Sequence, residues 1–212
     1  MILDRAGFPF IAIAALPSVV AFAFDAKVVG AALLVLPVAI ALFFRDPVRT
    51  PPATDSNSVL SPADGTVTYA GDGRAGETPP GSWRHVTIFL SPLDVHINRT
   101  PVSGTVTRIE YRAGTFVPAY DAKAHGNEQS EIWIDHDGQP IVARQVVGMM
   151  ARRVVCRLQP GAMVNAGDRL GLMKFGSRMD VFMPMTATLL VSTGRKVRGG
   201  ETIIARLASG AP

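Results

Sequence analysis

Three segments of the 212-residue chain carry residue types able to do chemistry. The first is Ser61-Pro62-Ala63-Asp64-Gly65. By composition it is a turn, since Pro, Asp and Gly are the usual turn residues. The second, residues 89–99 (FLSPLDVHINR), gathers Asp94, His96, Asn98 and Arg99 behind an apolar run. If 94–98 is extended, residues 94, 96 and 98 share one face. A histidine among polar residues is material for proton transfer near neutral pH, yet an exposed strand has the same pattern. The third is Phe175-Gly176-Ser177-Arg178-Met179-Asp180-Val181, which reads as a small-residue turn between two strands. Other site types find little here. No Gly-rich phosphate loop precedes a helix, and no Gly-x-Ser-x-Gly elbow is present. His85, His96, His125 and His136 are scattered without zinc spacing, so no metal is expected. The single Cys156 excludes an internal disulfide and reads as a small buried residue.

The elements that must position these residues fall into two kinds. Residues 8–24 and 28–44 are apolar and free of charge, separated by Asp25-Ala26-Lys27. Each is 17 residues, near the lower limit of about 17 for a membrane-spanning helix, and each contains a proline, Pro17 or Pro37. The start is mixed in charge (Asp4, Arg5) and Arg45-Asp46 follows, unlike a cleaved signal peptide. A retained helical hairpin over 1–44 is therefore expected in the membrane, with Arg5, Arg45 and Arg49 holding both ends in the cytoplasm. Residues 45–57 (RDPVRTPPATDSN) read as an extended linker.

From 58 to 212 the texture changes to short β-like runs between Gly, Pro and Asp. The runs are 65–69, 85–90, 104–111, 131–134, 141–147, 154–158, 169–173, 181–184, 188–192 and 202–207, with a turn or short helix over 123–129. The expected class is mainly β: a barrel-sandwich-like β domain preceded by the N-terminal apolar hairpin. A Gly-Thr-Val step recurs at 65–67 and 104–106, and 160–171 resembles the hairpin of biotinyl and lipoyl domains. The four charges of residues 1–44 cancel, so the formal net charge of +4 sits wholly on residues 45–212. A basic body suits anionic lipid headgroups. No clustered Lys/Arg run or aromatic RNA-binding motif points to nucleic acid.

Taken together and in order, Phe44-Arg45-Asp46-Pro47, Ser61-Pro62-Ala63-Asp64-Gly65, Asp94-Val95-His96-Ile97-Asn98-Arg99, Asn127-Glu128 and Phe175-Gly176-Ser177-Arg178 resemble the phosphatidylserine decarboxylase family, most closely its short, archaeal-type branch. The resemblance implies that Ser177 attacks the carbonyl of Gly176, that the resulting ester eliminates, and that an N-terminal pyruvoyl group forms from Ser177. The products are a large chain, 1–176, and a small chain of 36 residues, 177–212, paired as a heterodimer that can dimerise further. The pyruvoyl carbonyl then forms a Schiff base with the serine headgroup of a phospholipid and serves as the electron sink for loss of CO₂. The resemblance gives His96 the proton transfers and Asp64 the orientation of the base. Arg99, Asn98, Arg178 and Glu128 are the candidates for holding the substrate, Asn127 and Glu128 fitting a pocket wall and a turn equally. In the longer branch of the family a second histidine stands where this chain has Arg99, which cannot act as a base near pH 7. Two other readings stay open. One is a membrane-tethered carrier or binding module without catalysis, with Lys174 in Met173-Lys174-Phe175 as its modifiable side chain. The other is a self-cleaving relative acting on a different amino acid or headgroup.

Overall fold

A computed structural model describes residues 2–52, 55–119, 121–149, 154–173 and 177–208. The chain divides into two compact units, Met1–Val48 and Arg49–Pro212.

In the first unit, α1 (Phe8–Ala23) is followed by α2 (Lys27–Leu33) and α3 (Val35–Phe43). Asp25, at φ 57°, turns the chain between α1 and α2. The second apolar run is thus two short helices with Leu34 between them, one turn ahead of Pro37. Pro37 offers no N–H to the Leu33 carbonyl and its ring crowds that oxygen. Small residues let the helices meet: Ser18 Oγ donates to the Gly30 carbonyl at 2.7 Å, and a Cβ on Gly30 would lie 2.9 Å from the Phe22 ring. Phe10 stacks on Phe44 at 5.6 Å. Outward faces stay apolar, with Phe24 82% and Val28 84% exposed, a pattern that water does not favour. By length and composition, Arg5–Ala23 is the one described helix able to cross a membrane; Lys27–Phe43 is shorter. β1 (Ile2–Leu3) pairs with β2 (Arg45–Asp46), and Arg49 is held by Asp64 and Glu201.

The second unit is mainly β, as the spacing of its turn residues predicts. Its strands are β3 (Ser58–Leu60), β4 (Gly65–Asp72), β5 (Arg84–Leu90), β6 (Ile97–Arg99), β7 (Gly104–Arg112), β8 (Gln129–His136), β9 (Gln139–Val147), β10 (Val154–Cys156), β11 (Met163–Val164), β12 (Arg169–Met173), β13 (Ser177–Met183), β14 (Thr188–Leu189), β15 (Lys196–Val197) and β16 (Ile203–Arg206). An eight-stranded antiparallel sheet runs β11-β7-β8-β9-β13-β5-β4-β15. Two three-stranded sheets, β10-β12-β6 and β14-β16-β3, accompany it. Each of the ten β-like runs overlaps one of these strands. The short β3, β6, β11 and β15 carry too few residues to announce a period. A short 3₁₀ helix, Ala122–Gly126, occupies the turn region after 121. Asp137-Gly138, both at positive φ, joins β8 to β9 as a two-residue hairpin.

The Gly-Thr-Val echo marks an approximate two-fold repeat of backbone pairing. Leu60 N–H donates to Pro101 O and Arg99 N–H to Pro62 O, both at 2.8 Å. Gly200 N–H reaches Ser61 O at 2.8 Å, and Gly167 N–H reaches Thr100 O at 2.9 Å. Val67 and Val106 each donate at 2.9 Å to a hairpin carbonyl, of Arg195 and Ala162 respectively. Gly65 and Gly104 occupy equivalent close approaches: an added Cβ would lie 2.2 Å from Phe89 O and 2.1 Å from Asp135 O. The two halves enclose a shared apolar core that includes Val67, Val106, Ile88, Ile134, Leu170 and Ile204.

Gly104→Ala should therefore destabilise the protein by at least about 2 kcal/mol, because backbone must move. Gly138→Ala, with nothing within 4 Å of the new Cβ, should cost about 1 kcal/mol through its positive φ alone. Denaturant unfolding of the two variants measures the difference.

Candidate active site

Ser177 is the first residue of β13, a strand and not the turn its small neighbours suggest. β13 lies between β9 and β5 and is buried along its whole length. Ser177 stands opposite Leu90 at the end of β5 and Val147 at the end of β9. Residues directly opposite share a face. Ser177 and Met179 therefore point into the core with Leu90, Val147 and Gln145, whereas Arg178, Asp180 and Phe182 point to the other face. Ser177 is fully buried, and its Oγ has no hydrogen-bond partner among the described residues. An unpaired buried hydroxyl costs about 1–3 kcal/mol, so an uncommitted one calls for a reason. Gly176, the other half of the expected cleavage site, lies outside the described residues, as does Lys174.

His96 comes to the same end of β13 by two routes. β5 ends at Leu90, opposite Ser177, and six residues later the chain reaches His96 at the entrance of β6. β12 runs antiparallel to β6 with Leu172 opposite Ile97, and Met173 N–H points to His96 O at 3.4 Å. The chain then returns at Ser177 after three residues. His96 is buried, and its Nδ1 lies 2.9 Å from the Asp94 carbonyl. A carbonyl only accepts, so Nδ1 carries the proton and Nε2 is the basic nitrogen of the neutral ring. Asp94 is itself fixed: its Oδ2 accepts from Ser91 N–H at 2.8 Å and Ser91 Oγ at 2.7 Å. The Ser91–Asp94 turn thereby sets the orientation of the imidazole.

The structure does not bring Asp64 to His96. Asp64 Oδ2 pairs with Arg49 Nη2 at 2.6 Å and Oδ1 accepts from Gly199 N–H at 2.8 Å. Its counterpart in the other half, Ser103 Oγ, accepts from Ala166 N–H at 2.9 Å. Asp64 thus does in one half what a serine does in the other: it ties a turn to a hairpin. On the His96 ring, the Asp94 carbonyl holds Nδ1.

The remaining candidates separate in the same way. Asn98, two residues from His96 and fully buried, accepts at Oδ1 from Gln145 Nε2 at 2.9 Å. Arg99 is opposite Arg169, further along β6, with Nη1 on Gly167 O at 3.0 Å. It lines a cavity of about 570 Å³ with Arg49, Leu158, Met163, Asp168 and Arg169, whose described lining includes neither Ser177 nor His96. Glu128 accepts from Val154 N–H through Oε1 at 3.3 Å. Asn127 closes a turn: it bonds both the N–H and the carbonyl of Val117, and it donates to Val147 O at 2.8 Å, beside Ser177.

Arg178 faces away from Ser177, into a buried polar cluster that the motifs do not reveal. Its Nη2 lies 3.1 Å from Asp180 Oδ2. Asp180 Oδ1 accepts from Thr87 Oγ1 at 2.8 Å and lies 3.2 Å from His85 Nε2. Burial pushes the Asp180 carboxyl up, but the charge of Arg178, the hydrogen bond and charge of His85 and the charge of Arg144 outweigh it and hold it well below the usual carboxylate range. Alternation in Arg178-Met179-Asp180 was the available sign, visible only once the strand is known. Among the described residues, no three His, Cys, Asp or Glu side chains gather as a metal site.

Residues 38–205 match the family model described as phosphatidylserine decarboxylase. The chain belongs to the phosphatidylserine decarboxylase family. It is similar to a protein of Pelodictyon phaeoclathratiforme (strain DSM 5477 / BU-1), 44% identical over 165 residues and 77% of each chain. A relative from Geotalea uraniireducens (strain Rf4) is 42% identical over 93% of each chain. One from Anaplasma phagocytophilum (strain HZ) is 40% identical over 98% of this chain and 92% of its own. All three are named phosphatidylserine decarboxylase proenzyme. The family match spans both Ser177 and His96.

Asp180→Asn should cost about 3–5 kcal/mol by leaving Arg178 buried without its counter-charge. Because the folded carboxyl titrates below its unfolded value, its stabilisation is complete above the ordinary carboxylate range and is lost as pH falls toward the depressed value. Urea midpoints measured from neutral pH down to about pH 3 should decline for the native protein, and that part of the decline should vanish in the variant.

Proposed function

We propose that this protein decarboxylates phosphatidylserine to phosphatidylethanolamine, using a pyruvoyl group made from Ser177 by self-cleavage after Gly176. The observation that carries the reading is the fully buried Ser177 Oγ, uncommitted to any described partner, at the end of β13 where His96 enters β6. A free hydroxyl on the first rung of a rigid strand is fit to attack the preceding peptide carbonyl, and a residue without a side chain at 176 leaves that carbonyl open to approach. His96 Nε2 is the basic nitrogen at this end, and the Asp94 carbonyl keeps it so. His96 takes the Ser177 proton during cleavage and returns a proton to the substrate carbon after CO₂ leaves. When present, the pyruvoyl group supplies a carbonyl that captures the substrate amine and draws off the electron pair of the breaking bond. Six residues of β13, paired on both sides, keep the new chain end in register after the break.

The proposed setting is the membrane surface, with the β unit on the cytoplasmic side. The outward apolar faces of α1–α3 support the lipid contact, and the +4 charge of residues 45–212 suits anionic headgroups. Processing would leave chains 1–176 and 177–212 associated as a heterodimer. Family membership favours catalysis over the carrier reading, which needs Lys174 as a modified side chain.

Mass spectrometry of the purified protein tests the chemistry. The expected result is two chains in place of one of 22.5 kDa, the small one blocked to N-terminal sequencing and lighter than residues 177–212 by one ammonia. Ser177→Ala should stay a single chain and release no CO₂ from phosphatidylserine. His96→Gln should slow CO₂ release by about 10²–10⁴-fold. An intact chain that still decarboxylates overturns the mechanism.

A further inference from the structure

Two further uncommitted polar atoms lie on the Ser177 face. Asn98 and Gln145 are both fully buried, and one hydrogen bond of 2.9 Å, from Gln145 Nε2 to Asn98 Oδ1, joins them. Asn98 Nδ2 and Gln145 Oε1 have no partner among the described residues. The pair therefore presents a free donor and a free acceptor side by side within an apolar core. Buried amides are ordinarily satisfied, and leaving two atoms of one pair open is the costlier arrangement.

Register places this pair beside the reacting residue. Gln145 stands opposite Met179, two positions along from Ser177, while Val147 stands opposite Ser177 itself. Gln145 is thus the diagonal cross-strand neighbour of Ser177 on the same face, within reach for a long side chain. Asn98 approaches from β6, on the side of that strand that alternation gives also to His96. The pair carries no net charge, so its burial lacks the heavy penalty of an ion.

We propose that Asn98 and Gln145 read the amino-acid headgroup of the substrate. Asn98 Nδ2 donates to the headgroup carboxylate and Gln145 Oε1 accepts from its ammonium. An α-amino acid presents an acceptor and a donor on two groups of one carbon, the complement of what the pair offers. The ethanolamine headgroup of the product keeps the amine and lacks the carboxylate, so it loses the Asn98 contact and binds more weakly. This assignment rests on Ser177 being the reacting residue.

The test uses processed protein whose pyruvoyl carbonyl has been reduced with borohydride, so that binding is read without turnover. Titration calorimetry compares glycerophosphoserine with glycerophosphoethanolamine. The native pair should favour the serine compound by about 10-fold or more, the value of one hydrogen bond to a charged group. The double variant Asn98→Leu, Gln145→Met replaces both partners with apolar groups of similar size, a change that a purely structural pair tolerates. It should fold and self-cleave, and its preference should fall below about 2-fold. Should the double variant not fold, Asn98→Asp replaces it: a carboxylate opposing the headgroup carboxylate should abolish or reverse the preference. A folded, cleaved variant that keeps the native preference overturns the proposal and leaves the pair holding water. Absence of the 36-residue chain from the native protein would instead overturn the reading of Ser177.

Discussion

The site depends on one constraint: β13 is paired along both edges and buried on both faces. Seven consecutive residues, Ser177 to Met183, match β5 rung for rung, and six of them match β9. Slipping by one residue would send Ser177 to the Arg178 face and put Asp180 among the β5 core residues Val86, Ile88 and Leu90. The apolar alternation of Met179, Val181 and Met183 forbids that slip, and the ion pair of Arg178 with Asp180 forbids it from the other side. A strand held this firmly can have its first residue made a chain end without losing the geometry around it.

The repeated backbone pairing explains why several motif residues have structural work. Asp64 and Ser103 hold equivalent hairpins by the same bond to a backbone N–H, and Gly65 and Gly104 make the same close approach to a carbonyl. Asp64 adds a charge that its counterpart lacks, and Arg49, which also pairs with Glu201, answers it. A turn that anchors two elements can look like a catalytic signature in a sequence, because both demand a particular residue at a fixed place.

Two faces of one sheet carry two kinds of polarity. On the outer face, Arg178, Thr87 and His85 gather around the Asp180 carboxylate, a charged group built on one ion pair, with Arg178 Nε and His85 Nδ1 left without a partner among the described residues. On the inner face, Ser177, Asn98 and Gln145 keep atoms open inside an apolar core. The first arrangement helps to fix the strand, whereas the second leaves uncharged donors and acceptors uncommitted. The difference lies in charge: one face centres on a buried carboxylate and its counter-charge, the other on neutral hydroxyl and amide groups.

The amino-acid order alone determined the apolar N-terminal run, the mainly β class and the succession of motifs that contains Ser177 and His96. These follow from local properties: hydropathy over many residues, and turn residues at short spacing. It could not assign Ser177 to a strand, since small and polar residues around it read as a turn until two partner strands bury them. Nor could it separate Arg178 from Ser177, because alternation gives a face only after register with β5 and β9 is known. The tie of His96 to the Asp94 carbonyl, the commitment of Asp64 to Arg49 and Gly199, and the meeting of Asn98 with Gln145 were decided by tertiary structure. Asn98 and Gln145 are 47 positions apart in the chain, and only the packing of β6 onto the large sheet brings their amides together.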